Sequence, residues 1–441
     1  MATTYLYRDA TSATSVTAAT ISCWVKKVTN GAEQTVWFSG YTADYGQYSF
    51  RINFNSDDTL RCMNDDAGVN FKLETNRKFR DTNGWYHICL ALDTSESAAD
   101  RGKLYINGVR ETSFSTDTNM SGDQFFTGKS GYRQVIGRDE GGSDDYFDGL
   151  MGQFYYIDGT AYQASTFGET DADTGEWKIK TSPTVTMGTN GFLVLKNGNT
   201  ITDQSSNSND LTLGGGTLTD MQDCPSDLFA TLNSLNRNTN VTFSNCNNTL
   251  FSDAGTGGTN YRQNISTLGM KKGKFYAEVK CMEVSAGSQY GVVDITQFTN
   301  NRYIGYTSRG YGYMNTGEYY NNGSSVQSSL STFANPDIIS IAFDADNSNV
   351  YFRVNGGAWQ NSGDPTSGST GTGALAVTSG HVYAFGCSGH GANPKHEFNF
   401  GNGYFGTTQI SSEGTNASGV GKFEYDVPTG YTALSTKGMN I

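Results

Sequence analysis

Hydrophobic residues along the chain recur at every second position in short runs, and no window carries the three-to-four spacing of a capped amphipathic helix. In "SFRINF" (49–54), Phe50, Ile52 and Phe54 fall on one face of a strand, with Ser49, Arg51 and Asn53 opposite. Similar runs follow every 8–15 residues up to about residue 215: "ATISCWVKKV", "TVWFSG", "LRCMN", "WYHICLALD", "KLYING", "YRQVIGR", "GLMGQFYYID" and "GFLVLKN". Asn-Gly, Asp-Gly, Asp-Asp and Gly-Tyr turn signals separate them, which predicts a sandwich or barrel rather than βαβ units. At most one helical turn fits, in "SDLFATLNSL" (226–235). The pattern breaks in the polar, Gly-rich stretch 203–225 and restarts near 240 with "KGKFYAEVKCMEV", "QYGVVDI", "RYIGYTS", "IISIAFD", "VYFRV", "VYAFGCSG" and "HEFNFGN". The expectation is an all-β protein of two tandem antiparallel β-sandwiches, residues 1–215 and 241–441, joined by a linker over 216–240.

One phrase is written twice. "YHICLALD" (86–93) and "IISIAFD" (338–344) each end in Asp and a polar turn, and each precedes a strand running into Asn-Gly: "KLYING" and "VYFRVNG". Asn and Gly supply the two positive-φ residues of a type I′ turn, so each half is expected to hold a three-stranded meander.

Composition supports the strand reading, with 54 Gly, 13% aromatic and 17% charged residues. The net charge of −13 and the lack of a Lys/Arg cluster exclude nucleic acid as an expected partner. No apolar run is long enough to insert in a membrane, and "MATTYLYRDATSATSVTAAT" lacks the basic and apolar regions of a secretory signal. Seven scattered cysteines (23, 62, 89, 224, 246, 281, 387) read as small buried hydrophobes of a reducing compartment. The sequons at Asn240, Asn247 and Asn264 carry no weight without secretion.

Both halves resemble known families. "ISCWVKK…WFSG…WYHICLALDT…KLYINGV…VIGRDE…FDGLMGQFYYIDGTA" resembles the laminin-G/concanavalin-A-like jelly roll. "KGKFYAEV…YGVVD…IGYTSRGYGYMNTGEYYNNG…DIISIAFDADNSNVYFRVNGGAW…FNFGNGYF" is similar to a SPRY domain, with a C-terminal extension after it. "FGETDADTGEW", "DCPSDLFATLNSLN" and "YDVPTGYTALSTKGM" are similar to stretches in structural proteins of tailed phages, marine ones especially. The resemblance implies a virion protein made in the host cytoplasm, whose partners are other virion proteins and a host-surface glycan or protein. It also implies a homo-oligomer such as a trimer, although no heptad specifies one. The start of the lectin-like domain close to Met1 implies attachment through a sandwich face or edge rather than a preceding stalk.

Candidate chemistry is sparse. Concanavalin-like glucanases carry paired carboxylates on a rigid strand, and the nearest run here is Glu169-Thr170-Asp171-Ala172-Asp173, bracketed by Gly168 and Gly175. A solvated, Asx-capped loop is the better reading. His87, His381, His390 and His396 have no i, i+4 pairing and no Cys partner, and no Gly-x-Ser-x-Gly elbow or phosphate-cradling Gly loop opens a helix. "GRDEGGSDDYFDG" offers Asp139, Glu140, Asp144 and Asp145 as calcium oxygens around Gly141 and Gly142, while Asp148 serves an Asp-Gly turn. "RGYGYMNTGEYYNNG" offers Tyr311, Tyr313, Tyr319 and Tyr320 as an amphipathic binding surface, or as alternate core residues of a strand pair. These features and the resemblance lead to a non-enzymatic virion component, a tail-fibre, tail-tip or head-fibre protein that binds the host surface. Its rivals are a capsid decoration protein and a polysaccharide depolymerase.

Overall fold

The computed structural model describes all residues except 1–2, 120–124, 126, 142–144, 199, 253–260, 285–286, 391–392 and 441. The chain divides into two units, Met1–Asp220 and Met221–Ile441. Both are built from antiparallel sheets, and helix among the described residues is confined to short 3₁₀ turns.

In the first unit an eight-stranded sheet runs in the order Phe114–Thr118, Val69–Lys78, Thr59–Asp66, Tyr48–Phe54, Gln34–Tyr41, Tyr132–Ile136, Tyr5–Asp9, Thr212–Gly215. A six-stranded sheet runs Phe192–Val194, Gly149–Asp158, Ala18–Lys27, Tyr86–Asp93, Gly102–Ile106, Val109–Arg110. The alternation in "SFRINF" decides which face turns inward: Phe50, Ile52 and Phe54 are fully buried against Ile21, Cys23, Ile88 and Leu90 of the other sheet. Burying one such side chain stabilises the fold by about 1.5–3 kcal/mol. Trp37 stacks on Tyr156 at 5.3 Å in the middle of this core. The outer face of the six-stranded sheet is covered by residues 161–193, where Phe167, Trp177 and Met187 pack on Cys89, Tyr105 and Tyr155. Trp177 comes from a two-stranded ribbon, Gly168–Thr170 with Trp177–Ile179.

The second unit repeats the plan with different strands. Its larger sheet runs Val241–Ser244, Thr249–Ser252, Lys395–Asn399, Lys274–Glu283, Ile338–Asp344, Asn349–Val354, Leu375–Ala376, and Thr432–Ala433 adds in parallel beside Lys274–Glu283. The six-stranded sheet runs Arg262–Ile265, Tyr383–Gly389, Gln289–Asp294, Gly310–Met314, Glu318–Asn321, Ser324–Gln327. Here it is the larger sheet whose outer face is covered, by the C-terminal stretch carrying Val420, Phe423, Val427 and Tyr431 over Tyr276, Ala342 and Tyr351. A further ribbon pairs Tyr404–Phe405 with Thr408–Gln409.

The expected linker is partly core. Phe229, Ala230 and Leu232 are buried, Phe229 bridges Ser435 and Leu232 bridges Ser266, so this run is extended rather than helical. Apolar residues in a polar neighbourhood found a sheet to pair with.

The repeated phrase is one turn serving two topologies. Asn107-Gly108 and Asn355-Gly356 both take positive φ (48° and 80°; 51° and 65°), as a type I′ turn requires. In each, the Asn Oδ1 accepts an N–H at the start of the preceding partner strand, from His87 at 2.7 Å and from Ile338 at 2.8 Å. After Gly108 the chain pairs back as Val109–Arg110. After Gly356 it leaves the sheet, and Asn349–Val354 is paired instead by Leu375–Ala376. The third strand of the second meander is therefore not the one expected.

Candidate functional site

The carboxylate run 169–173 forms the ribbon and its turn. Asp171 Oδ1 accepts the N–H groups of Asp173 (3.0 Å) and Thr174 (2.9 Å), and Oδ2 receives Lys178 Nζ at 2.9 Å. The Lys178 ammonium, followed by these N–H groups, holds Asp171 well below the usual carboxylate range. Glu169 faces the same lysine at 3.8 Å. A glycosidase needs one carboxyl that keeps its proton, and a carboxylate bonded in this way cannot act as that acid.

His87 is the residue nearest to a catalytic arrangement. Its Nε2 lies 2.9 Å from Ser22 Oγ, and its ring stacks between Trp24 (5.0 Å) and Trp177 (5.9 Å). Trp177 Nε1–H donates to Nδ1 at 3.1 Å, which leaves the neutral ring's own proton on Nε2, facing the serine. A general base needs that nitrogen bare. Burial pushes the pKa of His87 down to about 3 and that of His396, 2.7 Å from the Tyr290 hydroxyl, to about 3 as well. Both rings are core residues. Neither His87 nor the 169–173 turn assembles a reacting pair.

Two of the candidate calcium ligands face arginines. Asp139 is buried and bonds Arg51 at 2.9 Å, while Glu140 lies 3.9 Å from both Arg133 and Arg138. The backbone carbonyl of Asp145 accepts Thr35 N–H at 3.0 Å. Asp144 lies outside the described residues. Arg51 takes Asp139 Oδ2 and the Gly141 N–H its Oδ1, and among the described residues no three His, Cys, Asp or Glu side chains gather as a metal site.

The tyrosine surface needs correction. Tyr311, Tyr313 and Tyr319 are buried in the second core, where Tyr313 contacts Tyr319 at 5.7 Å and Phe333 at 5.1 Å. They occupy the inward positions of Gly310–Met314 and Glu318–Asn321, so they cannot form a contact surface. Tyr320 points the other way and remains half-exposed.

That outward direction leads to the site. Opposite the buried tyrosines, Gly312 leaves room for the 3₁₀ turn Ile304–Tyr306 to lie on the sheet: a Cβ there would come within 3.1 Å of Gly305 N. A Cβ on Gly305 would in turn come 2.5 Å from Tyr320 Cβ. The turn's two flanking tyrosines are thereby set beside Tyr320. Tyr303 touches Tyr320 (5.9 Å), Tyr306 (5.4 Å) and Tyr261 (4.8 Å), and Tyr261 meets His390 edge-on at 4.5 Å. Tyr306 is 42% exposed, and the Arg302 guanidinium sits 4.7 Å above its ring. Burial raises the phenol pKa of Tyr261, Tyr303 and Tyr320, so their hydroxyls stay protonated at neutral pH. The Tyr303 hydroxyl donates to the Gly323 carbonyl at 3.2 Å. No local sequence pattern singles out Tyr261, Arg302, Tyr303 and Tyr306, because three separate segments supply this cluster. The pattern predicts a strand in "RYIGYTS", whereas the segment forms the 3₁₀ turn Ile304–Tyr306.

Residues 2–164 match the family model described as the concanavalin A-like lectin/glucanases superfamily, so the chain contains a laminin-G/lectin-like domain. No curated protein matches the sequence. Among solved structures, the SPRY domain of human HERC1 is 17% identical, with a TM-score of 0.30 over 38% of this chain and 96% of that one. The TRIM65 PSpry domain is 12% identical, with a TM-score of 0.27 over 38% and 91%. A heptameric SAP-like pentraxin from Limulus polyphemus is 18% identical, with a TM-score of 0.28 over 36% and 71%.

Proposed function

We propose that the protein is a non-enzymatic recognition component on the exterior of a tailed-phage particle, with a lectin-like jelly roll followed by a SPRY-like sandwich, and that the second unit grips a host-surface glycan. The observation that carries the glycan reading is the Tyr261–Tyr303–Tyr306–Tyr320 cluster, in which Tyr303 packs against the other three rings, with Tyr306 exposed and the rest partly exposed. Tyrosine offers a flat apolar face to a sugar ring and a hydroxyl to its oxygens, at a low cost in side-chain entropy. The −13 charge and the resemblance of the flanking segments to phage structural proteins support display on a particle. Virion localisation, partner virion proteins and a homo-oligomeric state belong to this same proposal.

The test is saturable binding of the purified chain to host cells, competed by soluble envelope polysaccharide. Tyr306→Ala with Tyr320→Ala is expected to weaken binding about tenfold, two ring contacts of about 0.5–1 kcal/mol each, with the fold retained by circular dichroism. Wild-type binding by that double variant would sink the proposal.

A further inference from the structure

We infer that the tyrosine cluster is built for an anionic carbohydrate, a sugar bearing a carboxylate or a sulfate ester, with Arg302 as the group that reads the charge. The inference rests on the glycan reading above and names its substrate class. Arg302 is exposed, and its guanidinium lies over the Tyr306 ring. Among the described residues it is the arginine whose guanidinium meets no protein oxygen. Others are paired with carboxylates, as Arg51 with Asp139, Arg61 with Glu33, Arg77 with Glu111 and Arg309 with Asp294. Those without a carboxylate are bonded to carbonyl or amide oxygens, as Arg8 to Gln134 and Arg353 to the Asp426 carbonyl.

In a chain with 43 acidic residues against 30 basic ones, a guanidinium left without an acidic partner, and set on the most exposed ring of an aromatic cluster, is a specific placement. The carboxylate on the same strand as Tyr320, Glu318, is bonded instead by the Thr316 hydroxyl at 2.8 Å. The ring holds the planar fork in one orientation, so less freedom is lost when an oxyanion accepts two of its N–H groups. Stacking on tyrosine also withdraws part of the guanidinium from water, which strengthens its attraction for a charge brought in on a sugar ring. A neutral glycan would meet the same aromatic faces but leave those donors unmatched.

The experiment measures affinity of the full chain for polygalacturonate, alginate, hyaluronate and chondroitin sulfate, each beside its carboxyl-reduced counterpart, at two salt concentrations. At least one acidic polymer is expected to bind ten times or more tighter than the uncharged polymers that carboxyl reduction of polygalacturonate, alginate and hyaluronate gives, and Arg302→Gln to remove that difference while changing affinity for those uncharged polymers far less. Arg302→Lys should keep part of it, and added salt should weaken the wild type but not Arg302→Gln. Preference for chondroitin sulfate that survives carboxyl reduction assigns the charge to the sulfate; preference lost on reduction assigns it to the uronate. Equal affinity for the acidic and reduced forms of polygalacturonate, alginate and hyaluronate with chondroitin sulfate bound no tighter than those reduced forms, or no effect of Arg302→Gln, overturns the anion inference and leaves glycan binding standing. No binding to any polymer, acidic or reduced, overturns both.

Discussion

A histidine held between two indoles shows how much one residue can set. His87 is buried, and the Trp177 N–H fixes its tautomer. The folded pKa of about 3 lies below the unfolded value near 6.5, so folding favours the neutral ring. The stabilising contribution is complete above pH 6.5 and is lost as pH falls from there toward 3, at up to about 1.4 kcal/mol per pH unit. Substituting His87→Gln removes the titrating group. The stability gap between wild type and variant, read from denaturant melts, should therefore narrow steadily from pH 7 to pH 4. A gap constant with pH would contradict the buried, neutral assignment. At this scale the sequence is informative where alternation applies and silent where loops meet. "GYGYM" already placed Tyr311 and Tyr313 on one face with Gly310 and Gly312 on the other, and the flat glycine side is where the 3₁₀ turn Ile304–Tyr306 lies. Arg302 and Tyr261 stand 41 positions apart in the chain, and no local pattern brings them together.

Between elements, the C-terminal stretch of the second unit is held down by a buried carboxyl. Glu278 receives the Tyr276 hydroxyl at 2.9 Å, the Glu424 and Tyr425 N–H groups at 2.8 and 2.9 Å, and Asn399 Nδ2 at 3.3 Å. Arg353 reaches it only through the Tyr276 oxygen, at 3.1 Å. Burial outweighs these bonds and pushes the carboxyl up to about 7. A folded value above the unfolded 4.5 means that folding favours the protonated acid. Its contribution is full below pH 4.5 and declines as pH rises toward 7. Amide exchange at Glu424 and Tyr425, corrected for intrinsic rates, should lose protection between pH 5 and 8. Glu278→Ala should lower that protection at every pH and flatten its pH dependence. Undiminished protection at pH 8 in the wild type would count against a protonated Glu278. His396 titrates with the opposite sign, and the Ala variant separates the two. The strands of this unit were legible because they alternate; the covering stretch was not. "SGVGKFEYDVPTGYTAL" (417–434) has no period, and its Val420, Phe423 and Tyr431 show their purpose only against Tyr276 and Tyr351. The Asn-Gly turn was legible, and the strand expected after Gly356 was not formed, because Tyr425 fills that space: a Cβ on Gly356 would lie 2.4 Å from its ring.

For the whole molecule, the folding boundaries differ from those of the resemblance and of the sequence pattern. The family match ends at residue 164, yet Phe192–Val194 closes one edge of the first unit's six-stranded sheet and Thr212–Gly215 one edge of its eight-stranded sheet. A fragment ending at 164 would leave Gly149–Asp158 and Tyr5–Asp9 as bare edges and uncover Tyr105 and Tyr155. Long bare edges and exposed aromatic faces favour aggregation. A fragment beginning at 241 would likewise lack Phe229 and Leu232, and emptying two such core positions costs about 2–5 kcal/mol each. A domain has only about 5–15 kcal/mol of net stability to lose. Fragments 1–220 and 221–441 are therefore expected to express solubly and each melt in one cooperative transition, whereas 1–164 should aggregate and 241–441 should melt well below 221–441 or not fold. Calorimetry on the four fragments decides it. A cooperative melt from 1–164 would mean that the return strands are ornamental, and equal melting of 241–441 and 221–441 would mean that residues 229–232 are the linker their polar surroundings suggested.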